Sequence, residues 1–218
     1  MTGFPKSPKL IKGGIVLLDP ETVQVKDVIS LQYNPETMSR SFQIQGAEGS
    51  EGGDRSQALR LKGPPVESYK LDAELDATDL LEKADKEATN VGLHRELAIL
   101  ESLIYPSSAD IISNQQLAAS GTLEILPMES LLTLFVWSKN RVLPVRVTEL
   151  SVTEEAYDPA LNPIRAKVSL GLRVLSIDDL GFSHIGSQLF MTYLQNKEQL
   201  KGRHTNLGLQ SLGIGGIL

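Results

Sequence analysis

The chain contains no cysteine. That excludes a disulfide framework, a thiolate metal site and a cysteine nucleophile, and it fits folding in a reducing cytoplasm. Aromatic residues are scarce at 5%, too few for the stacking platforms, interleaved with basic residues, on which single strands of nucleic acid are held. Positive charge is in the minority: 21 Lys and Arg face 27 Asp and Glu, a net charge of −6. This argues against the basic face of a duplex binder while leaving room for a local basic patch. No apolar run approaches the ~20 residues of a membrane-spanning helix. The segment Met1 to Gly14 carries lysines but no apolar core, so it does not read as a secretory signal. Histidine occurs only as His94, His184 and His204. None forms the i, i+4 pair of a zinc-protease helix, and no triad, metal cage or general base is readable. The expectation is therefore a soluble chain made in the cytoplasm. No cofactor, catalytic role, nucleic-acid partner or membrane partner is expected.

What is present is a globular composition, 41% hydrophobic and 22% charged over 218 residues, which suits one domain or one domain with an appendage. The central stretch from Pro127 to Leu180 organises the rest. Leu131 to Trp137 is a strand-length apolar run, Ser138 to Arg141 a polar break of hairpin length, and Val142 to Tyr157 a long run rich in β-branched residues. Within that run the apolar parity slips from Val145 and Val147 to Leu150 and Val152. A period of two changes face only at an extra residue, so a β-bulge is predicted near Thr148-Glu149. After the Asp158 to Pro163 loop, Ile164, Ala166, Val168, Leu170, Leu172 and Val174 share one parity, and Arg165, Lys167, Ser169 and Arg173 the other. This is an antiparallel meander with one face buried. Trp137 reads as core first and as an interface anchor second.

Upstream, strands are expected at Gly13–Leu18, Val28–Tyr33, Met38–Ile44 and Val66–Asp76. Arg40 interrupts the apolar face of the third, which places that strand at an edge or an interface. In the fourth, Tyr69, Leu71, Ala73 and Leu75 face a core, while Ser68, Lys70, Asp72, Glu74 and Asp76 form an acidic outer face. That face is either solvated or a contact for a basic partner strip. Residues 46–62 are glycine-rich and polar, a surface loop or one that orders against a neighbouring subunit. A helix is expected from an Asn90 N-cap to Ile104, with Leu93, Leu97, Leu100 and Ile104 as its buried stripe and Pro106 as its stop. Asp79 to Ala88 reads as partly helical, and Gly121–Leu126 as a possible strand. The N-terminal stretch Met1–Lys12 is proline-bearing and basic, an extended arm. After Leu180, Ile185, Leu189, Tyr193 and Leu194 carry helical spacing, and Asn206–Leu218 is an apolar, glycine-rich tail. Its Leu212, Ile214 and Ile217 are candidate docking residues, since such a tail is poorly tolerated in water without a cover. Gly213 to Gly216 lacks the Lys-Ser/Thr and the strand-to-helix setting of a phosphate loop. The Asp158 to Arg165 loop is the best candidate for a specific contact, with Asp158 and Asn162 preceding prolines and Arg165 and Lys167 projecting from the next strand.

The fold class expected is α+β, mainly β: an antiparallel barrel or sandwich over residues 1–180 with one main packed helix, and a helical and extended appendage over 181–218. A barrel removes the open edges that several amphipathic strands create.

The motifs also carry a resemblance. Leu134-Phe135-Val136-Trp137 followed by a basic turn, the run Arg141 to Val147 (RVLPVRV), Thr153 to Pro159 (TEEAYDP) and Leu161 to Ala166 (LNPIRA) resemble the tube-initiator, or baseplate-hub, proteins of contractile injection systems. Leu31 to Thr37 (LQYNPET) and Leu100 to Pro106 (LESLIYP) agree with it. The resemblance implies a tail-tube fold and a structural role: subunits associate into a six-membered ring between the central spike and the inner tube, and the ring templates tube polymerisation. The implied partners are copies of the chain, the spike protein, the inner tube protein and other baseplate proteins, and Arg40, Asp158, Asn162, Arg165 and Lys167 become candidate subunit contacts. Relatives commonly carry a peptidoglycan-binding LysM module after this domain, for which residues 181–218 are too short. Two other readings stand beside it: an inner tube or cap subunit of the same kind of particle, and a small ligand-binding β-barrel.

Overall fold

A computed structural model describes residues 12–31, 34–46, 61–120 and 130–203. The expectations for the loop at 47–60, for Gly121–Leu126 and for Leu212, Ile214 and Ile217 fall outside these residues. The described elements run β1 (Gly14–Leu18), β2 (Val25–Ser30), β3 (Met38–Gln43), β4 (Val66–Asp76), α1 (Thr78–Glu82), α2 (Lys86–Val91), α3 (His94–Glu101), α4 (Ser108–Ala119), β5 (Leu132–Ser138), β6 (Arg141–Tyr157), β7 (Pro163–Val174) and α5 (Ile185–Gly202).

All seven strands lie in one antiparallel sheet of order β2-β1-β5-β6-β7-β4-β3. The mainly-β α+β class expected from periodicity is the class observed. The predicted meander is its centre, β5-β6-β7, and the predicted bulge is present: β6 slips by one residue between Val147 and Glu149. Gly171 lies opposite, where a Cβ would sit 3.0 Å from Glu149 Cβ and 3.1 Å from Thr148 Oγ1. The bulge thus leaves little room for a side chain on the facing strand, where glycine fits without displacing Thr148 or Glu149.

One face is the core. Register places Ile15, Phe135, Leu143, Val145, Leu172, Tyr69 and Leu71 on the same side, and all are buried together. Tyr69 on β4 and Phe135 on β5 are three strand spacings apart, about 14 Å on a flat sheet. Their ring centroids are 5.5 Å apart. The sheet therefore rolls around its own core, as a barrel does, yet no ladder joins β2 to β3 among the described residues.

Four upstream expectations shift. The second strand starts at Val25 rather than Val28 and ends at Ser30, before Leu31, while Gln32 and Tyr33 of the expected strand lie outside the described residues. The early start follows from Asp19, which closes the preceding turn: its backbone N–H donates to Gln24 O (2.9 Å), and its Oδ1 accepts from the Glu21 and Thr22 N–H groups. The third strand ends at Gln43. Asn90 is not an N-cap. It lies inside α2, which Asp85 caps by accepting from the N–H groups of Glu87 and Ala88, and Gly92 ends that helix before α3 begins. Leu93, Leu97 and Leu100 are buried as expected, but α3 ends at Glu101 and leaves Ile104 48% exposed. Toward the C-terminus, α5 buries Phe190 and Tyr193 in the main core, while Ile185 and Leu189 pack on a second cluster of Leu18, Leu132 and Leu134.

Candidate functional site

The sheet carries an acid on its core face. Glu67 shares the parity of Tyr69 and Leu71 and is 3% exposed. A lone carboxylate there would be costly, so it must be paired and hydrogen-bonded. The phenol O–H groups of Tyr69 and Tyr193 donate to its Oε1 at 2.7 and 2.9 Å, and Lys197 Nζ donates to Oε2 at 3.1 Å. Arg40 Nε lies 3.8 Å from Oε1. Phe42 on β3 receives Arg40 at 4.8 Å and Lys197 at 5.4 Å from its ring centroid. Four residues from β3, β4 and α5 thus converge on one carboxylate, and α5 is fastened to the β3–β4 side of the sheet. The chemistry is structural, because the acid's oxygens are taken up by donors of the fold itself. The signal for it was in the sequence: Glu67 stands in the buried register of β4.

Burial first, then the hydrogen-bonded neighbours and the Glu67 charge, holds the Tyr193 phenol far above the ordinary tyrosine range. Tyr69 is raised as well, chiefly by burial. A raised phenol stabilises the fold fully below the unfolded value of ~10, and that contribution is lost as pH climbs from there through the folded value. Urea midpoints are expected to fall steeply between about pH 9.5 and about pH 11, and Tyr193→Phe should flatten that fall. An alkaline slope equal in parent and variant would remove Tyr193 from the linkage.

The candidate residues of the β6–β7 hairpin are satisfied within the chain. Asp158 Oδ1 accepts from the N–H groups of Ala160 and Asn162 at 2.8 Å each, and its Oδ2 accepts from Asn162 Nδ2 at 2.8 Å. These bonds, led by those from Asn162, hold the Asp158 carboxyl below its ordinary value. Asn162 Nδ2 also reaches Asn90 O (3.2 Å), which ties the turn to α2. Arg165 pairs with Asp76, and Lys167 with Glu155 at 2.9 Å, on the outer face. Arg40 is drawn toward Glu67. Structure therefore brings Asp158 and Asn162 together, sets Arg165 and Lys167 side by side on β7, and places Arg40 at the opposite, edge-strand side of β4.

Three surfaces lack partners within the described residues. β2 and β3 are the open edges of the sheet, with Val25, Val28 and Phe42 exposed on them. Helix α4 buries none of its residues, and Ile111 and Ile112 are 53% and 57% exposed. It is capped by the Ser107 hydroxyl, which accepts from the Asp110 N–H. No one-sided apolar stripe announces α4 in the sequence.

Residues 9–179 match the family model described as contractile injection system tube protein. A comparison with curated proteins gives no match. Among solved structures, the chain is similar to one titled as the virion of a native gene transfer agent particle, at 11% identity and a TM-score of 0.29, over 74% of this chain and 90% of that one. It is also similar to the tail of an empty particle of that kind, at 12% identity and a TM-score of 0.31, over 75% and 90%. Neither likeness is close enough to carry an argument about function.

Proposed function

The chain belongs to the contractile injection system tube protein family, and from that premise we propose that it is a ring-forming structural subunit of such a particle. In this reading six copies close a ring that joins the central spike to the inner tube and templates tube assembly. One observation carries it: among the described residues, a single sheet has an open edge at each end, β2 and β3, with no ladder between them. Open edges invite pairing with another chain, and natural proteins protect them unless pairing is the purpose. Two different edges on one subunit make a head-to-tail contact, which closes into a ring when the rotation allows.

Residues 1–180 are the ring-forming part in this proposal and 181–218 the appendage. Arg40, at the β3 edge, and the Arg165 and Lys167 row beside the Asp158–Asn162 turn are the lateral contacts. Leu212, Ile214 and Ile217 dock on a neighbouring ring, and α4 is a further contact surface. The ring assembles in the cytoplasm, and its role is structural, without chemistry. The family description favours a second reading, a subunit that stacks on copies of itself as tube or cap.

Light scattering on the purified chain, alone and mixed with the spike and tube proteins, separates these. A mass of six chains that grows only with those partners supports the joining ring, and growth without limit on its own supports the tube subunit. A monomer that ignores both sinks the proposal. Ile112→Glu, on α4, should change stability by no more than ~0.5 kcal/mol, the usual range for exposed positions, yet weaken association of the ring with tube protein. Unchanged association would remove α4 from the contact.

A further inference from the structure

The two open edges of the sheet carry opposite charges on the same face. On β2, Asp27 lies opposite Leu17, which shares the inward parity of Ile15 in the main core. On β3, Arg40 lies opposite Tyr69, which belongs to that core as well. Asp27 is exposed, and the N–H of Val28 donates to its Oδ1 at 2.7 Å. It forms no ion pair among the described residues, and its neighbour Lys26 is taken by Asp19 at 3.3 Å. Around Arg40 the balance is reversed. Glu67 is one carboxylate facing two cations, and its oxygens already accept from Tyr69, Tyr193 and Lys197. Arg40 Nε stands 3.8 Å from Glu67 Oε1, beyond hydrogen-bonding reach, and the Arg40 side chain is 35% exposed. One positive charge is therefore in excess at the β3 edge and one negative charge at the β2 edge.

Chain topology fixes how two such edges meet. Six antiparallel pairings separate β2 from β3, so these two strands run in the same sense. The rotation that generates a ring keeps the inward face inward in every copy. A junction between β3 of one copy and β2 of the next is then parallel, with Arg40 and Asp27 on one face. Setting these two side by side also brings Phe42 next to Ile29, two residues further along each strand. Phe42 is 44% exposed and Ile29 half-buried. This register matches charge with charge and apolar with apolar. A slip of two residues either way would set Asp27 beside Met38 or Phe42 instead.

We propose that a second copy of this chain occupies the β3 edge, its β2 pairing in parallel with β3 in the register that joins Asp27 of one copy to Arg40 of the next. This junction rests on the ring reading, to which it adds the strands, their sense and their register.

The chain has no cysteine, so thiols placed by Val28→Cys and Ser41→Cys report on the junction alone. In this register the two positions are neighbours on the outer face, beside the ion pair and not part of it. Neighbouring strands lie about 4.8 Å apart, within the roughly 4.4–6.8 Å between the Cα atoms of a disulfide. The two single variants of the full chain are mixed, with the spike and tube proteins present, in a glutathione redox buffer. A covalent dimer of this chain is expected from the mixture and from neither variant alone. Val28→Cys mixed with Gln43→Cys, two residues out of register, should give none. Adding Asp27→Lys to the Val28→Cys chain sets like charges side by side and should slow dimer formation by roughly tenfold or more. Light scattering on the same samples separates the two readings. Six-chain particles that lack the mixed dimer, in which either variant links to itself, or whose linking is indifferent to Asp27→Lys overturn the edge pairing and leave the ring standing. Chains that stay monomeric with both partners refute the ring reading, and the edge pairing with it.

Discussion

Glu67→Ala should be the most damaging single substitution outside the apolar core. It removes the one acceptor shared by Tyr69, Tyr193 and Lys197, and leaves two buried phenols and an ammonium group without it. Breaking a buried charge pair by deleting one partner costs roughly 3–5 kcal/mol. The Lys197 side chain is 37% exposed, so water recovers part of its hydration, and the lower end, about 3 kcal/mol, is expected. For a chain of this size that corresponds to a fall of about 6–12 °C in melting temperature. Glu67→Gln keeps an acceptor and loses the charge, so it should cost about half as much. Because the carboxylate ties α5 to β3 and β4, the loss should be local as well as global: amide exchange along α5 should accelerate more than along β7. The effects of Glu67→Gln and Lys197→Met should also fall short of additivity by about 1 kcal/mol. An alanine variant melting within a degree or two of the parent, with α5 exchange unaltered, would show that the helix is held by Phe190 and Tyr193 packing alone.

How far this arrangement was legible in the sequence depends on the range of the signal. β7 was plain because alternation of period two is local, and Ala166, Val168, Leu170, Leu172 and Val174 declare the buried face without reference to any other segment. The bulge at Thr148 was plain for the same reason, as a change of parity within one run. The Glu67 cluster was not, because its donors come from β3 and from α5, 126 and 130 positions away in the cases of Tyr193 and Lys197. Only the anomaly was visible, an acid in the buried register. Phe190 was missed because the helical spacing of Ile185, Leu189 and Tyr193 drew the stripe one position aside, and the helix faces two clusters at once. The Asn90 cap failed to a competitor. Asp85, five residues earlier, caps its own short helix, and Gly92 breaks the segment that periodicity alone had joined.

That break supplies the second large effect. Gly92→Ala should destabilise the protein by about 2–4 kcal/mol, through backbone strain of ~1–3 kcal/mol and one weakened hydrogen bond. Gly92 has φ 55° and ψ −130°, a region that residues with a side chain rarely enter. A Cβ built there would stand 2.4 Å from Pro163 O and 3.0 Å from Asn162 Cβ. The first of these atoms is backbone and cannot swing away. Pro163 O also accepts the N–H of Leu93 at 2.9 Å, the bond that docks the start of α3 on the β6–β7 hairpin. The methyl group therefore pushes against the acceptor on which Leu93, Leu97 and Leu100 depend for their position over the core. A melting temperature lower by about 4–16 °C is expected, with exchange accelerated at Leu93 and in the Asp158–Asn162 turn. Gly202→Ala is the control. It lies in α5 with nothing within 4 Å of the added carbon, so the gain of about 0.5–1 kcal/mol from replacing a helical glycine should appear as a neutral or slightly raised melting temperature. If both alanine variants melted alike, the hairpin would not constrain the helical connection, and the strain at Gly92 would be relieved by movement of the α2–α3 junction.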